Sequence, residues 1–118
     1  MIARMQYLIL QNSGEIMKHL LAELQGEEEL FTSANTLACV EMHLLRMAQT
    51  LAHWPEPLRL RLVQLDWHGW VRLQGLLEAD GQPRREAVWY GIHALVPATL
   101  ELIARLRQQE PAWFELGY

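Results

Sequence analysis

The stretch QLDWHGWVRLQGLLEADG, Gln64 to Gly81, gathers two tryptophans, a histidine, an arginine and several acids within a few helical turns. Histidine is the natural place to begin, because it moves protons near neutral pH and ligates metals. The chain has five: His19, His43, His53, His68 and His93. None stands in HExxH or another metal-ligand spacing. Glu15 with His19, and Trp89 with His93, are four apart and share a helix face; such pairs bind a metal only where other ligands converge, so both read as structural. His43, near Glu41 and Arg46, reads as part of a solvated or interfacial face. The single Cys39 lies in the apolar run TLACVEMHLL and reads as a reduced core thiol. A nucleophilic thiol would need an electropositive, partly exposed setting. No glycine-rich phosphate loop and no nucleophile elbow is present.

These residues must be positioned by helices. Leu, Ala, Glu, Gln and Arg abound while Val, Ile and Thr are sparse, which favours helix by propensity. The spacing predicts a first helix over Ala3–Gln25 with a stripe of Met5, Leu8, Ile9, Ile16, Leu20 and Leu24, stopped by Gly26. GEEELFTSA reads as a connector with Phe31 as an apolar plug and Thr32 or Ser33 as the next N-cap. A second helix is predicted over Ala34–Ala52 on the seam Leu37, Val40, Leu44, Met47 and Leu51, closed by Pro55 and Pro57. A short helix over Glu56–Gln64 follows. The third long element begins at the N-cap Asp66 and fades near Ala79, with Trp67, Trp70, Val71, Gln74 and Leu77 on one face. Gln74 interrupts that apolar row and needs a polar neighbour if buried. DGQP reads as a turn, Pro83 as the first position of the last helix, and Pro97 as a kink or restart within it.

With 118 residues, 51% hydrophobic and 20% charged, the composition is that of one folded domain and not of a disordered chain. The fold expected is all-α: a single antiparallel four- to five-helix bundle spanning residues 1–118. The net charge of -4 argues against a nonspecific nucleic-acid coat, which needs a basic surface. No stretch reads as a membrane span, and the N-terminal MIARMQYLILQ lacks a typical cleavage site, so a cytoplasmic protein is the default expectation. No metal or other cofactor is indicated.

The segments EEELFTSANTLACVEMHLL, WPEPLR, LDWHGWVRLQ and AVWYGIHALVPATLELI, in that order, resemble the HepT-like branch of the HEPN superfamily. These are small helical-bundle proteins often paired with minimal nucleotidyltransferases. The resemblance covers nearly the whole chain and is carried by order and spacing. Active members are similar in an Arg–Asn–x–x–x–His motif on the central helix, which forms a composite RNA-cleaving site where two subunits meet. Counted from Trp67, those positions hold Gln74, Gly75 and Ala79. A register shift would bring in Arg72 but no histidine, since none occurs between Trp70 and Ile92. The family's tyrosine after the histidine is also missing; EADGQP stands there.

Two expectations follow. The first is a HEPN-like binding or assembly module without nuclease activity. It would be a homodimer drawing contact area from Trp67, Trp70, Trp113 and Phe114, with a nucleotidyltransferase or antitoxin as the implied partner. The second is a metal-independent ribonuclease toxin with a relocated pair, Arg61 with His68 or Arg72 with His68, and only then is RNA a partner. Arginine would stabilise a phosphorane-like charge, and histidine would act as acid or base. The loose Arg/His spacing also occurs at Arg46/His53, as chance allows. A third possibility is an unrelated helical protein, which a structure lacking antiparallel pairing of the two long helices would favour.

Overall fold

The computed structural model describes residues 2–79 and 83–115. Every element is helical, with no strand among the described residues: α1 (Ile2–Ala22), α2 (Glu27–Thr32), α3 (Ala34–Ala52), α4 (Glu56–Arg59), α5 (Trp67–Glu78), α6 (Arg85–Tyr90), a π-helical segment (Gly91–Leu95), α7 (Val96–Gln109) and α8 (Ala112–Glu115). The chain is all-α. From Arg85 to Gln109 the helix is continuous and forms a single rod.

α3 has the predicted bounds, and Val40, Leu44, Met47 and Leu51 are buried along the predicted seam. α1 lies against it. Gln6 Nε2 donates to the His53 carbonyl at 2.8 Å, and Ser13 Oγ lies 3.1 Å from His43 Nδ1. Residue 6 therefore meets the end of α3 and residue 13 its middle, so the two helices run antiparallel. Of the predicted α1 stripe, Leu20 and Leu24 pack partly buried against the core and Ile16 is half-buried, but its first half faces out. Ala3, Gln6, Tyr7, Leu10, Ser13, Gly14 and Met17 face inward, while Met5, Leu8 and Ile9 are exposed. α1 is apolar on two faces, and the one buried is the face on which Ser13 and the Gln6 Nε2 find partners on or beside α3.

Other boundaries shift for local reasons. α1 ends at Ala22, and Gly26 adopts an extended φ of 166° ahead of α2, not a left-handed stop. The expected connector is itself a short helix whose fully buried residue is Leu30; Phe31 is half-buried against Trp89. Ser33 occupies the N-cap of α3 without a side-chain cap bond. α4 stops at Arg59, short of Gln64, and turns carry the chain to Asp66. Of the predicted DGQP turn, residues 80–82 lie outside the described residues.

The rod starts at Arg85, not Pro83, and two arginines anchor its beginning. Arg84 donates from Nε and Nη2 to both carboxylate oxygens of Glu41, at 3.0 and 2.9 Å. Arg85 reaches Glu27 and Glu28 and lies over the Phe31 ring. Pro97 neither breaks nor restarts the rod. A proline lacks an N–H and crowds the carbonyl four residues earlier; the wider π-helical turn just before Pro97 absorbs that misfit. By length and apolarity this rod could cross a bilayer, contrary to the reading that no stretch approaches one. Within the fold its apolar residues Val88, Ile92, Leu95, Val96, Ile103 and Leu106 are core, and 39% of its most apolar window is buried.

Two glycines set the closest approaches. A Cβ on Gly91 would lie 2.9 Å from Leu73 Cδ2 on α5, and one on Gly14 would lie 2.5 Å from Leu100 Cδ1 on α7. The chain end folds back as α8, burying Phe114 against Tyr7 and Trp54. α5 is held by Trp70, whose Nε1 donates to Thr99 Oγ1 at 2.9 Å with both residues 2% exposed. Replacing Thr99 by Val keeps the shape but leaves the indole N–H unpaired. Thr99→Val is expected to lower unfolding free energy by about 1–3 kcal/mol in urea titrations with an unchanged m-value. An unchanged midpoint would show that the bond contributes nothing.

Candidate functional site

Asp66 opens α5 as predicted, its Oδ1 accepting the Gly69 N–H at 2.8 Å. The helix is rotated relative to the expected stripe. Trp70 and Leu73 are buried, Trp67 and Leu77 are half-buried, and Val71 is 62% exposed. Trp67 Nε1 donates to the Leu62 carbonyl, and Arg59 covers its ring. Trp70 and Phe114 thus belong to the core, the intrachain alternative to the interface reading, and offer no contact area to a partner. Trp67 and Trp113 pack partly buried against that core.

The outer side of α5 and the start of the rod enclose a cleft of about 350 Å³ whose lining includes Asp66, His68, Arg72, Glu86 and Tyr90. It joins two of the three alternative catalytic candidates. Arg61 is not among them; it pairs with Glu110 at the end of α7. His68 and Arg72 are exposed, one turn apart, and make no hydrogen bond or ion pair among the described residues. The phenol of Tyr90 donates to Asp66 Oδ2 at 3.0 Å. That hydrogen bond, then the carboxylate charge, then burial, hold the Tyr90 phenol above its usual range. Tyr90 is therefore a donor at neutral pH and not a base. Asp66 and Glu86 offset the positive charge of Arg72, which weakens the cleft for a phosphate chain.

The positions matching the family motif lie further along α5. Gln74 is half-buried, Gly75 is exposed with nothing within 4 Å of an added Cβ, and Ala79 caps the helix end. None of these three can hold a charge or transfer a proton. Among the described residues no group of three or more His, Cys, Asp or Glu side chains could hold a metal. Cys39 is half-buried on α3, less enclosed than a core thiol. The rings of Trp89 and His93 meet at a tilt, with centroids 4.1 Å apart.

His43 overturns its sequence reading. It is 4% exposed, bonded to the fully buried Ser13, and belongs to no solvated face. The signal was present: Ser13 shares the row of Leu10 and Met17, and His43 lies between Val40 and Met47. Burial, and then the nearby Arg46, push the His43 imidazole below its ordinary 6.5. In the unfolded chain it takes a proton near 6.5; in the fold it does so only at lower pH. Its stabilising contribution is thus complete above pH 6.5 and is lost as pH falls from there through the folded-state value. Urea titrations at pH 7.5 and pH 5 should show wild-type stability falling more steeply than that of His43→Gln. Equal slopes would remove His43 as the cause.

No protein-family model, curated protein or solved structure matches the chain.

Proposed function

We propose that this chain is a HepT-like helical module that binds and assembles as a homodimer through the outer face of α5, without cleaving RNA. In this reading α1, α3, α5 and the Arg85–Gln109 rod form the HEPN-like antiparallel bundle. The antiparallel pairing of α1 with α3 supports it, together with the order of sequence features. The observation that carries the function is the character of the outer α5 face. Val71 and Gly75, one turn apart, stand exposed beside Gln74, where the family's pattern has its catalytic residues and its subunit contact. Val71 and Gly75 themselves carry no charge, with the exposed Glu78 one turn further along the same row, and such a small, flat pair suits close helix–helix approach across a twofold axis. A minimal nucleotidyltransferase is the partner class that goes with this reading.

Light scattering on the purified protein at tens of micromolar should give the mass of a dimer. Val71→Arg, at an exposed position, should give a monomer with an unchanged circular dichroism spectrum, because the axis would bring two guanidinium groups together. A wild-type monomer at that concentration would contradict the dimer.

One observation favours a second reading: His68 and Arg72, without a hydrogen bond or ion pair among the described residues, line a single cleft. A metal-independent ribonuclease using that pair would cleave single-stranded RNA and lose the activity in His68→Ala. The first reading predicts no cleavage by either protein. Wild-type cleavage that disappears in His68→Ala would replace it with the second.

A further inference from the structure

α1 and the rod enclose a groove of about 560 Å³, on a different side of the rod from the α5 cleft and within the size range of small-molecule sites. Gly14 lets α1 touch Leu100 at one end, and Gly91 lets the π-helical segment sink towards Leu73 on α5. The groove lies between α1 and the rod, with the Gly14–Leu100 approach at one end. The lining runs along α1 from Gly14 to Ala22 and along the rod from Leu100 back to Ile92.

The floor is carbon: Met17, Leu21, Ile92, Val96 and Leu100. None of these side chains offers a strong donor or acceptor, so the body of any occupant must be apolar. Polar side chains stand only at the mouth, Glu15 and Lys18 on α1 and His93 on the rod. Lys18 is the chain's single lysine and makes no ion pair among the described residues. Glu15 lies one turn closer to the Gly14 end. An anionic head group towards the Ala22 end has two donors, the Lys18 ammonium and an N–H of His93. A cationic head would have Glu15 alone.

We propose that this groove binds a small aliphatic carboxylate, its chain on the Met17–Val96 floor and its head between Lys18 and His93. The site is separate from the outer face of α5 and does not depend on the function proposed above.

Reductive ¹³C-methylation keeps the charge of Lys18 and gives one side-chain NMR reporter, since the chain has no other lysine. Titrating sodium decanoate into the full chain should shift that signal saturably. Decanoate should bind about tenfold tighter than octanoate, from two more buried methylenes. It should exceed 1-decanol by up to about fivefold, from the head group. Ala22→Trp, exposed at the groove's end, should abolish the saturable shift while leaving the circular dichroism spectrum unchanged. A shift without saturation would overturn the proposal. So would decylamine binding as tightly as decanoate, or undiminished decanoate binding in a folded Ala22→Trp protein.

Discussion

One buried hydrogen bond, from the Trp70 indole to the Thr99 hydroxyl, sets the rotation of α5. The enclosed Trp70 has a donor that is costly to leave unpaired, and Thr99, two residues after Pro97 on the rod, supplies the acceptor. With Trp70 fixed inward, Leu73 follows it into the core. His68, Arg72, Val71 and Gly75 are then turned towards the surface. The cleft beside Asp66 and the exposure of Val71 and Gly75 are both consequences of that rotation.

A second polar seam plays the same part for α1. Gln6 reaches the carbonyl of His53, and Ser13 meets His43. Between them lies the apolar core around Leu10, Val40, Leu44 and Met47. Hydrophobic burial holds the helices together, but it is nearly indifferent to which apolar face of α1 turns inward. The polar pairs choose, because a buried hydroxyl or amide without a partner costs about 1–3 kcal/mol. The glycines complete the arrangement. Gly91 fixes how closely the rod can sit on α5, and Gly14 how closely α1 can sit on α7.

The sequence was most readable where one apolar row was flanked by plain punctuation. α3 is the example, with a continuous seam and Pro55 and Pro57 behind it. Asp66 was legible as a cap because its chemistry is local. The rotation of α1 was not, since Met5, Leu8 and Ile9 make as good a stripe as Tyr7, Leu10 and Met17. Val71 was misread and Leu73 missed for the same reason: the partner that fixes α5, Thr99, is far away in sequence. Pro97 looked like a break because the π-helical turn that accommodates it has no pattern of its own. At the site, His68 and Arg72 could be placed on one helix face from their spacing. Glu86 and Tyr90, which complete the cleft and alter its charge, come from the rod and could not be foreseen.

In the dimer proposed above, two outer faces of α5 meet. Inter-subunit distance measures this directly. In a Cys39→Ser background, a spin label on Gly75→Cys should show strong dipolar coupling between the two copies, at a separation typical of directly packed helices. A protein that dimerises with the labels far apart, or that shows no coupling at all, would contradict the account.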